Sequence, residues 1–83
     1  MADMINEDRL REALAANVPR LRKSLGLSQQ QLADAISVHR VTIARIETGR
    51  LNPGADMIFS LADALGVPTD ALRQVAEISS KSA

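Results

Sequence analysis

Four side chains stand out for the chemistry their spacing allows. Arg40, Val41, Ala44 and Arg45 follow one another at the i, i+1, i+4, i+5 intervals that share one face of a helix. A guanidinium can donate two parallel hydrogen bonds to the O6 and N7 of a guanine, and a valine or alanine methyl can touch the methyl of a thymine, so such a face suits direct readout in a major groove. A surface helix with a purely structural task would show Glu and Lys there. With Ile43 set inward at roughly 100° per residue, Ile46 and Glu47 also turn inward, while Val41, Ala44, Arg45 and Thr48 turn away. No acid faces out. Catalysis has far less to work with: there is one histidine and no cysteine, no carboxylate cluster with a pocket to sit in, and little chain from which to build a water-excluding site. No enzyme, metal or cofactor is expected.

The elements that hold this face can be read from their ends. Ser28 with Gln31 forms a capping box, and Leu27 with Leu32 supplies the hydrophobic staple that goes with it, so a helix begins at Gln29 and runs two turns to Ile36. Val38, His39 and Ile43 repeat the staple and open a second helix, from His39 to Thr48, closed by Gly49. Two short helices are thus joined by a turn of about three residues. Upstream, Leu10, Leu14, Val18, Leu21 and Leu25 form a helical stripe broken at Pro19. Because proline removes a donor and clashes one turn back, two segments are expected, 7–16 and 18–25, with Asn6 and Asn17 as caps and Gly26 as the stop. Downstream, Asn52, Pro53 and Gly54 make a turn. Ile58, Leu61, Ala62 and Leu65 then mark a helix ending at Gly66, and Thr69 or Asp70 opens a last one with Leu72, Val75, Ala76 and Ile78 as its apolar side.

Composition fits one small helical domain. At 83 residues a chain buries only about 60% of its unfolded surface. Phe59 is the single aromatic, so the core must be aliphatic, and without cysteine no disulfide can brace it. The net charge of zero hides a pattern. Residues 18–52 hold six bases and two acids, a balance of +4, while residues 1–17 and 53–83 each come to −2. A basic middle between acidic flanks is what one anion-facing surface requires. The opening residues lack a basic n-region and no apolar run approaches the roughly 18 residues of a membrane span, so a soluble cytoplasmic protein with no membrane association is expected.

The stretch GLSQQQLADAISVHRVTIARIETGRLNPG resembles the helix-turn-helix of the XRE family, the class of lambda repressor and Cro. The resemblance extends over residues 14–73, with the LSQQQLA opening, the TIARIE helix and the GRLNP exit in register. It implies an all-α fold, a five-helix lambda-repressor-like DNA-binding domain, here with an additional short N-terminal helical segment: an extension over 1–13, the domain over 14–78 and a frayed tail over 79–83. It also implies a regulator, a repressor by type, bound to double-stranded DNA, as a homodimer on a palindromic operator. By position, Arg40, Val41, Ala44 and Arg45 match base-facing residues, with His39 at their edge. Gln29, Thr42, Arg50 and Asn52 match phosphate-facing positions, and Arg22 and Glu47 match a structural ion pair. The residues themselves agree in part. Gln29 can offer a phosphate its amide or its backbone N–H. His39 serves either DNA or the local turn. Glu47, turned inward, needs a partner, and Arg22 is the candidate.

Three positions depart from the family: Ser37 stands for a turn glycine, His39 for a small hydroxyl cap, and Pro68 for a Ser or Thr cap. Ser37 either takes a left-handed conformation at a cost of roughly 1 kcal/mol or the turn differs. For dimerisation the apolar Leu72, Val75 and Ile78 are candidates, and the N-terminal helix is a rival surface. The alternative function is an antitoxin-like module that binds a protein partner with the same helices.

Overall fold

The computed structural model describes residues 7–74. Among them the backbone forms five helices in the order α1 (Glu7–Ser24), α2 (Gln29–Ala35), α3 (Arg40–Glu47), α4 (Ala55–Leu65) and α5 (Thr69–Arg73). α1 packs on α3 and α5, α2 on α3, and α4 on α5.

The two segments expected around Pro19 are one helix, with Pro19 inside it. An interior proline costs about 3 kcal/mol, but the apolar side of α1 is buried on both sides of it. Leu14 and Val18 are fully buried before Pro19, and Leu21 packs on the same core after it. Breaking the helix would pull one half off that core. Asn17 is accordingly no cap. Buried in mid-helix, it donates its Nδ2 to the carbonyls of Leu72 (2.8 Å) and Gln74 (2.7 Å), so that it ties off the end of α5, and its Oδ1 accepts from Arg20.

Leu14, Val18, Leu32, Ile43, Ile46, Leu61 and Leu72 form the fully buried centre. Leu72, expected on a dimer surface, is 0% exposed inside this core; α5 is a single short turn pressed between α1 and α4, and its one large apolar residue is needed there. Val75 and Ile78 lie outside the described residues. Phe59 falls off the Ile58, Leu61, Leu65 stripe of α4 and is 65% exposed.

The ends of α1 to α4 share one device. Leu27, Val38, Arg50 and Val67 each return their backbone N–H to the carbonyl five residues back, at 2.8 to 3.1 Å, around a preceding residue of positive φ. At Gly26, Gly49 and Gly66 that residue is glycine; at the α2 to α3 turn it is Ser37, with φ of 60°. The strained alternative is therefore the one adopted. No helix among the described residues is long and apolar enough to cross a membrane.

Candidate nucleic-acid interface

The start of α2 is fixed by its own side chains. Ser28 Oγ accepts from the backbone N–H of Gln31 at 3.0 Å, and Gln31 Oε1 accepts from the N–H of Ser28 at 2.8 Å, the reciprocal pair of a capping box. α3 starts differently. His39 stands at its cap position in extended conformation, but its side chain makes no capping hydrogen bond. The staple, with Val38 packed against the core and Ile43 fully buried, is what holds that end. The imidazole is exposed.

Two buried isoleucines, Ile43 and Ile46, orient α3. Arg40, Val41 and Arg45 consequently lie exposed along its outer side and Ala44 half-buried between them, with His39 exposed at the N-terminal edge. Val41 is 45% exposed, one of three large apolar side chains so placed among the described residues. Thr42 is half-buried. Beside this row lies a shallow concavity bounded by Gln30, Ser37, Val38, His39, Arg40 and Val41, so the turn and the first residues of α3 form one continuous recess.

The inner side of α3 ends in an ion pair. Arg22 of α1 donates Nε to Glu47 Oε2 at 2.7 Å and Nη2 to Oε1 at 3.0 Å, and its Nη1 donates to the carbonyl of Leu27 at 2.9 Å. The fork is bidentate, with side chains only 10% and 6% exposed, which is the geometry that makes such a pair strong. Gln29 Nε2 adds a third hydrogen bond to Glu47 Oε1 at 3.0 Å. Burial alone would push the Glu47 carboxyl up, but the hydrogen bonds from Arg22 and Gln29 and the charges of Arg22 and Lys23 outweigh it and hold the group below its ordinary 4.5. The same hydrogen bond to Glu47 raises Arg22. The Arg22 to Glu47 pair thus joins α1, the turn after it, the first residue of α2 and the last of α3.

Gln29, half-buried at the start of α2, is therefore partly committed, with one amide hydrogen used on Glu47. Arg50 is exposed in the loop after α3, at the position where the three other helix ends carry an apolar residue. Asn52 is half-buried, and its Oδ1 is enclosed without a hydrogen-bond partner. Two features escaped the sequence reading. The Gln29 to Glu47 bond joins side chains far apart in sequence, and the role of Asn17 depends on where α5 ends. The exposure of Phe59, by contrast, was available from its place off the α4 stripe.

This arrangement of α2, turn and α3 coincides with a known pattern of sequence. The family described as helix-turn-helix, HTH_3, matches residues 20–72. The chain belongs to the helix-turn-helix family. An uncharacterised HTH-type transcriptional regulator of Haemophilus influenzae is 40% identical over 62 residues, which cover 75% of this chain and 63% of the relative, so the chain spans less than two thirds of that protein. Among solved structures, a hypothetical transcription factor, NHTF, from Neisseria superposes with a TM-score of 0.81 at 31% identity, over 94% of this chain and 90% of that one. The restriction-modification controller protein C.AhdI of Aeromonas hydrophila superposes with a TM-score of 0.71 at 29% identity, over 75% of this chain and 94% of the controller. The five-helix, lambda-repressor-like fold of the family is the fold of this chain.

Proposed function

We propose that this protein is a sequence-specific, double-stranded DNA-binding transcriptional regulator, a repressor by type, that inserts α3 into the major groove of a palindromic operator as a homodimer. The observation that carries the reading is the outer row of α3: two arginines, a valine and an alanine, with no acid among them, on a helix whose inner side is fixed by Ile43, Ile46 and the Arg22 to Glu47 pair. Arg40 and Arg45 would take guanine edges and Val41 and Ala44 thymine methyls, with His39 at the rim of the same set. Gln29, Thr42, Arg50 and Asn52 would fix the register by phosphate contacts, which position without specifying. The names carried by NHTF and C.AhdI, a transcription factor and a controller, support a regulatory role.

Selection of bound duplexes from a random pool tests all of this together. The expected product is an inverted repeat with G and T in each half-site, the half-sites about 34 Å apart, one turn of DNA. Recovery of no enriched sequence, with salt-sensitive binding retained, would leave a non-specific binder and overturn the assignment of base readout to α3.

A further inference from the structure

One side chain at the outer row of α3 can change its charge at physiological pH. His39 is the single histidine of the chain and is exposed at the head of the helix. It stands at the cap position yet makes no capping hydrogen bond, and it has no ion pair among the described residues. Together with Gln30 of α2, Ser37 and Val38 of the turn, and Arg40 and Val41 of α3, it borders the recess at the start of α3.

No acid borders that recess, and Arg40 is its other charged side chain. Of the acids on α2 and α3, Asp34 accepts a hydrogen bond from Gln30 Nε2 at 2.9 Å, and Glu47 is paired with Arg22 at the opposite end of α3. A recognition helix meets base edges with its first residues, and the chain leading into it passes the DNA backbone at the rim of the groove. His39, one residue before the first turn, occupies that rim. An imidazole exchanges its proton between about pH 5 and 8, and an anion within about 4 to 6 Å favours the protonated form.

We infer that His39 holds a DNA backbone phosphate as its imidazolium, so that each α3 that binds DNA takes up a proton. The inference rests on the DNA reading above and sets His39 apart from the base-reading residues: it would add affinity that depends on pH and carries no sequence information. The direction follows from linkage. A group that holds its proton more tightly in the complex contributes affinity that is fully present at low pH and is lost as pH rises through its bound value.

Fluorescence anisotropy at fixed salt, on the selected duplex and on a random-sequence duplex, tests it. Wild-type affinity should fall about threefold to tenfold per bound subunit between about pH 5.5 and 8, and by the same factor on both duplexes. His39→Gln keeps a polar side chain with no proton to gain, so its profile should be flat at the wild-type level of high pH. His39→Lys, charged throughout, should be flat at the wild-type level of low pH, with a salt slope steeper than that of His39→Gln by about 0.9. The α-amino group, which titrates near pH 8, is common to all three proteins and cancels between them. Glu47, held below 4.5, keeps the acid loss of the fold outside this range. The position is exposed, so helical circular dichroism should be unchanged, and the two variants of different charge give independent readings should one lose helicity.

A pH profile shared by wild type and His39→Gln, or a pH effect confined to the selected duplex, would overturn the inference. Either result leaves DNA binding itself standing, and the random duplex keeps the measurement independent of base readout. Absence of wild-type binding to both duplexes at every pH strikes the DNA reading and this inference with it.

Discussion

At the scale of residues, Arg45 and Glu47 sit two positions apart on one helix and do opposite work. Arg45 is exposed with no partner among the described residues, so Arg45→Ala should cost about 1 to 3 kcal/mol on the selected operator and much less on random duplex, read by fluorescence anisotropy. Equal losses on both would remove Arg45 from base readout. Glu47 belongs to the fold. Taking away one member of a buried ion pair costs about 3 to 5 kcal/mol because the other is left uncompensated, and Glu47→Ala would strand Arg22 in this way. Since the native carboxyl is held below 4.5, its contribution is complete above that value and is lost as pH falls from there through the depressed native value. Denaturant melts across acid pH should show this loss, and Glu47→Gln should flatten it. The inward turn of Glu47 was readable from the helical period alone, as was the outward turn of Arg45. The hydrogen bond from Gln29 was not, because it depends on how closely α2 approaches the end of α3, which no spacing along the chain encodes.

At the scale of elements, the unit of α2, turn and α3 contains one strong local preference and one violated one. Ser28→Ala removes the hydroxyl that satisfies the Gln31 N–H and should lower stability by about 1 kcal/mol. Ser37→Gly should act in the other direction by about 0.5 to 1 kcal/mol, since glycine takes a φ of 60° without a Cβ penalty, less its greater entropy when unfolded. Thermal melts of the two variants should move apart in sign; a Ser37→Gly protein less stable than wild type would mean that the serine is held by something other than strain. Caps, staples and turn glycines were legible in sequence because each is a local interaction a few residues long. Pro19 misled for the same reason. Its local rule is sound, but the burial of Leu14 and Val18 on one side and Leu21 on the other outweighs it, and that burial belongs to α3, α4 and α5 as much as to α1.

At the scale of the molecule, charge is distributed so that a neutral chain presents a basic middle, with Arg40, Arg45 and Arg50 exposed along α3 and the loop after it. Affinity for DNA should therefore fall steeply with salt, the logarithm of the binding constant dropping by about 0.9 per phosphate neutralised for each tenfold rise in salt. Arg50→Ala should lower that slope by about one contact and weaken all sequences alike. A slope unchanged in Arg50→Ala would place the residue off the backbone.

The aliphatic core and the exposed ring of Phe59 have a consequence for how this protein can be watched. With no Trp or Tyr, its intrinsic near-ultraviolet signal comes from one phenylalanine that is 65% exposed when folded. Unfolding changes the surroundings of that ring little, so the folding transition should be nearly silent in this band and has to be followed through the helices. A molecule that covered this ring would instead register there with almost no background, so Phe59 reports contact at α4 rather than folding.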